Sequence, residues 1–178
     1  MNWYLIAGIT IPSLIVLFLI RYIYKTYNEL TYHLIKVDKQ AGNIEAHLKK
    51  KIDLIPALVE VVKGYATHEK GTFQEITALR SQWGKAGTQE SKIKTANQID
   101  SLLSKLLVVQ ERYPQLKADK RFQDIQRNMK EVEKELVHER KWYNEKVRRY
   151  NTRVKLFPRN IIAKLFKFEE KAFYSKEE

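Results

Sequence analysis

The chain has 178 residues, no cysteine, and 33 Lys or Arg against 21 Asp or Glu, which gives a formal net charge of +12. Without cysteine, the protein has neither disulfide bonds nor thiolate chemistry. The basic excess favours an anionic partner, either nucleic acid or the lipid surface.

The first predicted element is an apolar helix at the N-terminus. Residues Met1–Ile20 carry no charged side chain, and Arg21 and Lys25 follow directly. A helix over this run is about 28 Å long, one hydrocarbon thickness, so we predict a transmembrane anchor at residues 2–24. Because the basic residues follow the apolar run, a retained anchor is favoured over a cleaved signal peptide. The same asymmetry predicts a single-pass protein of the cell (inner) membrane, with its N-terminus outside and its soluble domain in the cytoplasm.

The anchor is predicted to continue into the first helix of the domain, because no Gly or Pro occurs from Ser13 to Gln40. Apolar residues then recur at alternating steps of three and four, the spacing of a helix packed against partners. They are Tyr27, Leu30, Leu34, Val37, Ala41, Ile44 and Leu48. Asp53 is the predicted N-cap of a second helix that carries Pro56 in its first turn and extends to about Trp83.

A third helix is predicted from Gln89 to Arg112, where Pro114 stops it. Asp119 is the predicted cap of a long last helix, which Pro158 ends. Four amphipathic helices with short connections and no strand signal predict an all-α fold. We therefore expect a single N-terminal transmembrane helix followed by an antiparallel four-helix bundle over residues 25–158.

The positive charge is concentrated near the C-terminus. In an antiparallel bundle the last helix returns to the membrane, so its basic residues face the bilayer and lipid contact is favoured over nucleic acid. Residues 159–178 are predicted to form a basic-amphipathic tail that lies near the membrane. The membrane-proximal basic residues are Arg21, Lys25, Arg148, Arg149, Arg153, Lys155, Arg159, Lys164 and Lys167.

Two His-Glu dipeptides resemble parts of a metal site. A helical zinc hydrolase needs a second His one turn after the first, and neither His68-Glu69 nor His138-Glu139 has one. We therefore predict no metal and no cofactor. Glu69 and Glu139 fall at apolar positions of the helical pattern and are interpreted as polar residues that fix helix register. Arg140 and the Tyr-Asn pairs are their candidate partners, and a ligand-binding polar cluster is the alternative.

Three Tyr-Asn pairs recur, at Tyr27-Asn28, Tyr143-Asn144 and Tyr150-Asn151. The tyrosines of the last helix continue its apolar face, and the two asparagines form a polar line beside it. We expect these amides to bond across to Asn28 or to the second helix in an interhelical hydrogen-bond layer, with a ligand site as the alternative.

Several motifs together resemble the LemA family of bacterial membrane proteins. They include Asp53-Leu54-Ile55-Pro56, Lys63-Gly64-Tyr65-Ala66, Tyr113-Pro114 and Arg140-x-x-Tyr143-Asn144. The resemblance implies a LemA-type bundle on one membrane anchor and no established activity. The chain departs from the family at Ala57, where Asn is usual, and at Lys167, where Gly is usual. The matching motif residues, whose role the family leaves open, are Asn28, Asp53, Pro56, Tyr65, His68, Glu69, Tyr113, Pro114, Arg140, Tyr143, Asn144, Tyr150 and Asn151.

The sequence favours a non-enzymatic protein that docks partner proteins or organises the inner membrane surface. Its expected partners are the lipid bilayer and an unidentified protein, without nucleic acid. The alternative is an enzyme, or a small-ligand or metal-binding protein, that uses His68, Glu69 and the Tyr-Asn pairs. A third possibility is self-assembly through exposed heptad positions.

Overall fold

The computed structural model describes residues 3–66 and 69–174, except for the side chains of residues 3–7, 9, 89 and 90. These ranges contain helices, turns and irregular segments, with no β-strand. The all-α prediction is therefore confirmed for the described residues. Their α-helices are α1 (Trp3–Asp53), α2 (Ile55–Lys63), α3 (Lys70–Lys85), α4 (Gln89–Val109), α5 (Pro114–Ala118), α6 (Lys120–Lys155) and α7 (Arg159–Leu165).

Helix α1 is continuous over 51 residues and contains Pro12. The prediction that the N-terminal helix continues into the domain is confirmed. Within the residues that the structure describes, no helix combines the length and the apolarity needed to cross a membrane. The predicted transmembrane anchor at residues 2–24 thus has no support from the described helices.

The second predicted helix is in fact two helices. Helix α2 ends at Lys63, and its C-cap residue Gly64 donates its N–H to the carbonyl of Val61 at 3.2 Å. Helix α3 begins at Lys70. Glycine in a helix costs about 1 kcal/mol relative to alanine, which favours a break there. The N-cap prediction was also wrong, since Asp53 is the last residue of α1 and Leu54 takes the cap position without a side-chain bond. Pro56 lies in the first turn of α2 as predicted.

The remaining helix boundaries follow their predicted signals. Helix α4 passes into a 3-10 turn at Gln110–Arg112, and Pro114 opens the short helix α5. Asp119 caps α6, because its Oδ1 accepts hydrogen bonds from the backbone N–H groups of Arg121 (2.8 Å) and Phe122 (3.2 Å). The Asp119 and Pro114 predictions are therefore confirmed.

The chain divides into two compact units. The first comprises residues 1–42 and 141–174, so it contains the beginning of α1, the end of α6, α7 and the segment after it. Helix α6 lies against α1 here, with Arg153 Nε 2.9 Å from Glu29 Oε1. Its buried side chains include Leu30, Val37, Val147, Tyr150 and Ile162.

Tyr27 was predicted to lie on the packed face of α1, but its side chain is 40% exposed and lies outside this core. Its ring instead contacts Phe166 and Phe168, with centroids 5.0 and 5.6 Å away. Those phenylalanines follow α7, which ends because Lys167 adopts a left-handed conformation with φ 55°. The Phe168 N–H bonds the carbonyl of Ala163 at 2.9 Å, the 6→1 bond of a Schellman C-cap.

Beyond this cap, residues 168–174 have no regular secondary structure. The predicted tail helix is thus limited to Arg159–Leu165, and residues 175–178 lie outside the described ones.

The described part of the second unit lies within residues 43–140. Helix α6 is antiparallel to α1, since Asn43 bonds Glu139 at 3.3 Å and Lys50 bonds Glu135 at 3.2 Å. Helix α4 is parallel to α1, because Lys92 pairs with Glu45 and, further along both helices, Asp100 pairs with Lys51. This is the up-down order of the predicted bundle. The core includes Ile44, Ile55, Leu58, Ile76, Ile99, Leu106, Phe122 and Leu136.

Candidate functional site

The motif residues of α6 hold the C-terminal segment of the first unit. Asn144 Nδ2 donates to the carbonyl of Tyr174 at 3.1 Å, and Asn144 Oδ1 accepts from the N–H of Tyr174 at 2.8 Å. Asn151 bonds both backbone groups of Lys171 in the same way, at 2.8 and 3.0 Å. The Tyr143 hydroxyl donates to the carbonyl of Ala172 at 3.2 Å. We call Tyr143, Asn144 and Asn151 the tail clamp, and residues 171–174 the tail.

The spacing of the clamp matches that of the tail. Two asparagines seven residues apart on a helix are separated by about 10.5 Å along its axis. Three steps of extended chain, from Lys171 to Tyr174, cover about 10 Å. Each carboxamide therefore meets one tail residue and satisfies its N–H and its C=O together. Because these contacts are to backbone groups, the clamp recognises an extended conformation and depends little on the side chains of the tail.

This arrangement corrects the predicted interhelical hydrogen-bond layer. The amides of Asn144 and Asn151 bond the tail and not another helix, while Asn28 is exposed on α1. The tyrosines behave as predicted, since Tyr143 is 7% and Tyr150 1% exposed. Burial raises the pKa of both phenols above the ordinary value.

A cleft of about 430 Å³ lies beside the clamp. Trp142 and Phe173 are the aromatic side chains of its wall, and we call it the tail cleft. The other lining residues are Lys141, Asn144, Glu145 and Arg148. Phe173 belongs to the clamped tail, so the cleft exists in this form only while the tail is held.

Many of the predicted membrane-facing basic residues are paired within the first unit. Arg148 and Arg149 bond Glu145 at 2.9 and 2.6 Å, which lowers the pKa of that carboxyl from 4.5 to about 2. Arg153 and Arg159 share Glu29, at 2.9 and 3.1 Å.

Lys155 pairs with Glu170 at 2.8 Å. The side chains of Arg21, Lys25, Lys164 and Lys167 are exposed. The exposed basic surface is therefore smaller than the sequence count indicates.

The second unit contains a partly buried charge cluster that the sequence analysis missed. Lys51 Nζ lies 2.7 Å from both Asp100 Oδ1 and Glu133 Oε2, and Lys51 is only 9% exposed. Arg140 Nη1 lies 3.5 Å from the other oxygen of Glu133. A cleft of about 260 Å³ borders these groups. One signal was available, because Lys51 is three residues after Leu48 and therefore continues the apolar pattern of α1.

Glu69 and Glu139 both have polar partners in the second unit. Glu69 is paired with Arg112 at 2.6 Å, and Glu139 accepts a hydrogen bond from Asn43 at 3.3 Å. Both are partly buried, which agrees with their interpretation as polar residues on packed faces. His68 lies outside the described residues. Among the residues that are described, no three His, Asp or Glu side chains form a group that could hold a metal ion.

The other motif residues have local structural roles in the second unit. The Tyr65 hydroxyl donates to Asp119 Oδ2 at 2.8 Å; this bond raises the pKa of Tyr65 and lowers that of Asp119. Tyr113 offers its carbonyl to the N–H of Leu116 at 3.0 Å, next to Pro114. Asp53 lies 3.9 Å from Arg80. The motifs therefore occur in both units, and no single site collects them.

The fold and the clamp define a helical-bundle protein whose motif side chains brace its own backbone. The LemA family profile matches residues 40–178, and the chain belongs to the LemA family. The resemblance drawn from the sequence is thus confirmed. The chain is also similar to Protein LemA of Metamycoplasma hominis, at 26% identity over 137 residues, which is 76% of this chain. It spans only 63% of the length of that relative.

Proposed function

We propose that this chain is a non-enzymatic, membrane-associated helical bundle that docks a partner protein at the membrane surface. The observation that supports membrane association is an exposed apolar run on α1. Eight large apolar side chains between Ile11 and Ile20 are 51–67% exposed. Soluble monomers rarely expose contiguous apolar patches beyond a few hundred Å². Burial of this surface in hydrocarbon would stabilise it by about 25 cal/mol per Å².

A second exposed apolar group supports contact with the bilayer surface. The interfacial patch consists of Leu156, Phe157, Ile161, Leu165 and Phe166, which are 44–79% exposed. The ring contact between Phe166 and Tyr27 sets this patch beside α1, shortly after its exposed apolar run. Lys164 and Lys167 are exposed within the patch. Apolar side chains interspersed with lysines suit the boundary between acyl chains and anionic headgroups.

We infer that the bundle lies in the cytoplasm and the opposite end of the apolar run outside, because Arg21 and Lys25 directly follow that run. The absence of native cysteine allows a direct test. A Val137→Cys variant should resist a membrane-impermeant maleimide on intact cells and react after permeabilisation. Reaction on intact cells would reverse the orientation.

The docking role is supported by what the motif side chains already bind. The carboxamides of Asn144 and Asn151 are engaged by the tail, and Glu69 is engaged by Arg112. These groups are therefore used in bracing the bundle, which favours a rigid scaffold over a small-ligand site. A scaffold of this kind acts by presenting its surface to a partner.

Flotation of the purified full-length chain with phospholipid vesicles tests the proposal. The wild-type chain should float with the vesicles. A Leu14→Lys/Leu17→Lys variant should remain in the aqueous fraction, because each charge at the bilayer centre costs about 2.5–3.5 kcal/mol. The matched control is Val108→Lys/Val137→Lys, at two apolar positions of the second unit that are 67% and 59% exposed. Recovery of the wild-type chain in the aqueous fraction would overturn membrane association.

A further inference from the structure

The tail cleft has features of a protein-docking site that the membrane role does not explain. Its two aromatic walls are accessible, with Trp142 43% and Phe173 54% exposed. Tryptophan and other aromatic residues are enriched in the energetically dominant positions of protein interfaces. The cleft volume of about 430 Å³ is large enough for one bulky side chain and its flanking backbone.

The clamp fixes the geometry of this cleft. Phe173 stands between Ala172 and Tyr174, whose backbone groups bond Tyr143 and Asn144. Tyr174 is only 7% exposed and anchors the end of the tail. The Phe173 wall is therefore held in place before any partner arrives, which reduces the ordering cost of binding.

The charge around the cleft is basic. Lys141 and Arg148 line it, and Lys146 Nζ lies 5.3 Å from the centroid of the Trp142 ring. The one acidic lining residue, Glu145, is already bonded by Arg148 and by Arg149. An incoming carboxylate would thus meet basic side chains, while the acidic lining residue is already paired.

We propose that the tail cleft binds a partner-protein segment that presents an aromatic side chain flanked by carboxylates. The ring inserts between Trp142 and Phe173, and the carboxylates contact Lys141 and Lys146. This inference rests on the proposed docking role and names the chemistry of the partner. A protein segment fits better than lipid, because a cleft of about 430 Å³ lined by two aromatic side chains holds one inserted side chain, whereas acyl chains need an open apolar surface.

Binding of a synthetic probe to the full-length chain in neutral detergent tests the proposal. The probe is a fluorescent peptide with two glutamates on each side of one phenylalanine, followed by anisotropy. Trp142→Ala removes one wall, and Asn144→Leu releases the other by breaking the clamp. Both should weaken binding about tenfold or more, since removal of a central aromatic contact commonly has an effect of that size. The matched control, Val137→Ala, changes an apolar side chain of the second unit that is 59% exposed, and it should bind like wild type.

Four outcomes would overturn the proposal. One is that both cleft variants keep the wild-type circular dichroism spectrum and still bind the probe as tightly as the wild-type chain does. Another is that the control variant loses as much binding affinity as the cleft variants do. A third is that a peptide with serine in place of phenylalanine binds equally well, which would show that net charge alone determines binding. The last is displacement of the probe by phosphatidylglycerol vesicles with the same dependence on Trp142, which would make the cleft a lipid contact. Flotation of the Trp142→Ala variant reports separately on membrane association.

Discussion

Replacing Asn151 by alanine should release the tail without unfolding the bundle. The Asn151 carboxamide makes hydrogen bonds of 2.8 and 3.0 Å to the backbone of Lys171, and Asn151 is 7% exposed. Each such bond contributes about 0.5–1.5 kcal/mol net, so the pair contributes about 1–3 kcal/mol. Because residues 168–174 have no regular secondary structure, this loss falls on local opening of the tail and not on global unfolding. The Lys171 amide should then exchange with solvent about 5- to 150-fold faster.

Hydrogen exchange followed by NMR gives the measurement at single amides. The matched control is Asn128→Ala, at an exposed asparagine on the same helix. Both substitutions raise helix propensity slightly, so the comparison isolates the clamp. The Lys171 amide should lose protection in the Asn151 variant alone, while the urea midpoint of the bundle changes little. Unchanged protection at Lys171 in Asn151→Ala, or equal loss in both variants, would refute the clamp.

Three further predictions concern other parts of the structure. Lys167→Gly should stabilise the first unit by about 0.5–1 kcal/mol, because the left-handed φ of 55° costs a residue with a side chain more than glycine loses in chain entropy. Thermal unfolding measures this change, and the control Lys164→Gly, inside α7, should destabilise the unit. Lys51→Met should lower the free energy of urea unfolding by about 2–3 kcal/mol, because it removes the partly buried cation that lies 2.7 Å from both Asp100 and Glu133. The exposed Lys50→Met should change this free energy little. Glu145 has a pKa lowered from 4.5 to about 2, so its stabilisation is present above pH 4.5 and fades as pH falls toward 2. Glu145→Gln should reduce the pH dependence of the free energy of urea unfolding in that interval. An unchanged pH dependence would contradict the pairing of Glu145.

Helical periodicity was sufficient to predict most of the core, as Leu30, Val37 and Ile44 show. It failed at Tyr27, because the partners of that ring are Phe166 and Phe168, which reach it through the turn after α7. Periodicity reports which face of a helix is buried and carries no information on which non-helical segment covers it. The tail clamp was unpredictable for the same reason.

Other errors had a visible local cause. Glycine is unfavourable in a helix, yet the predicted second helix continued past Gly64 to about Trp83, where the structure has the two helices α2 and α3. Lys51 was given no buried role from the sequence, although its position continues the apolar pattern of α1. A basic residue at an apolar position indicates a buried partner, and here Asp100 and Glu133 provide it.

The depth of individual residues in a vesicle tests the membrane account most directly. Single cysteines can be introduced at Leu17, Phe157 and Val137 and labelled with an environment-sensitive fluorophore, since the chain has no native cysteine. In vesicles that contain anionic lipid, we expect strongly blue-shifted emission from position 17, an intermediate shift from position 157 and water-like emission from position 137. Water-like emission from all three positions would contradict the proposal that this bundle associates with the bilayer.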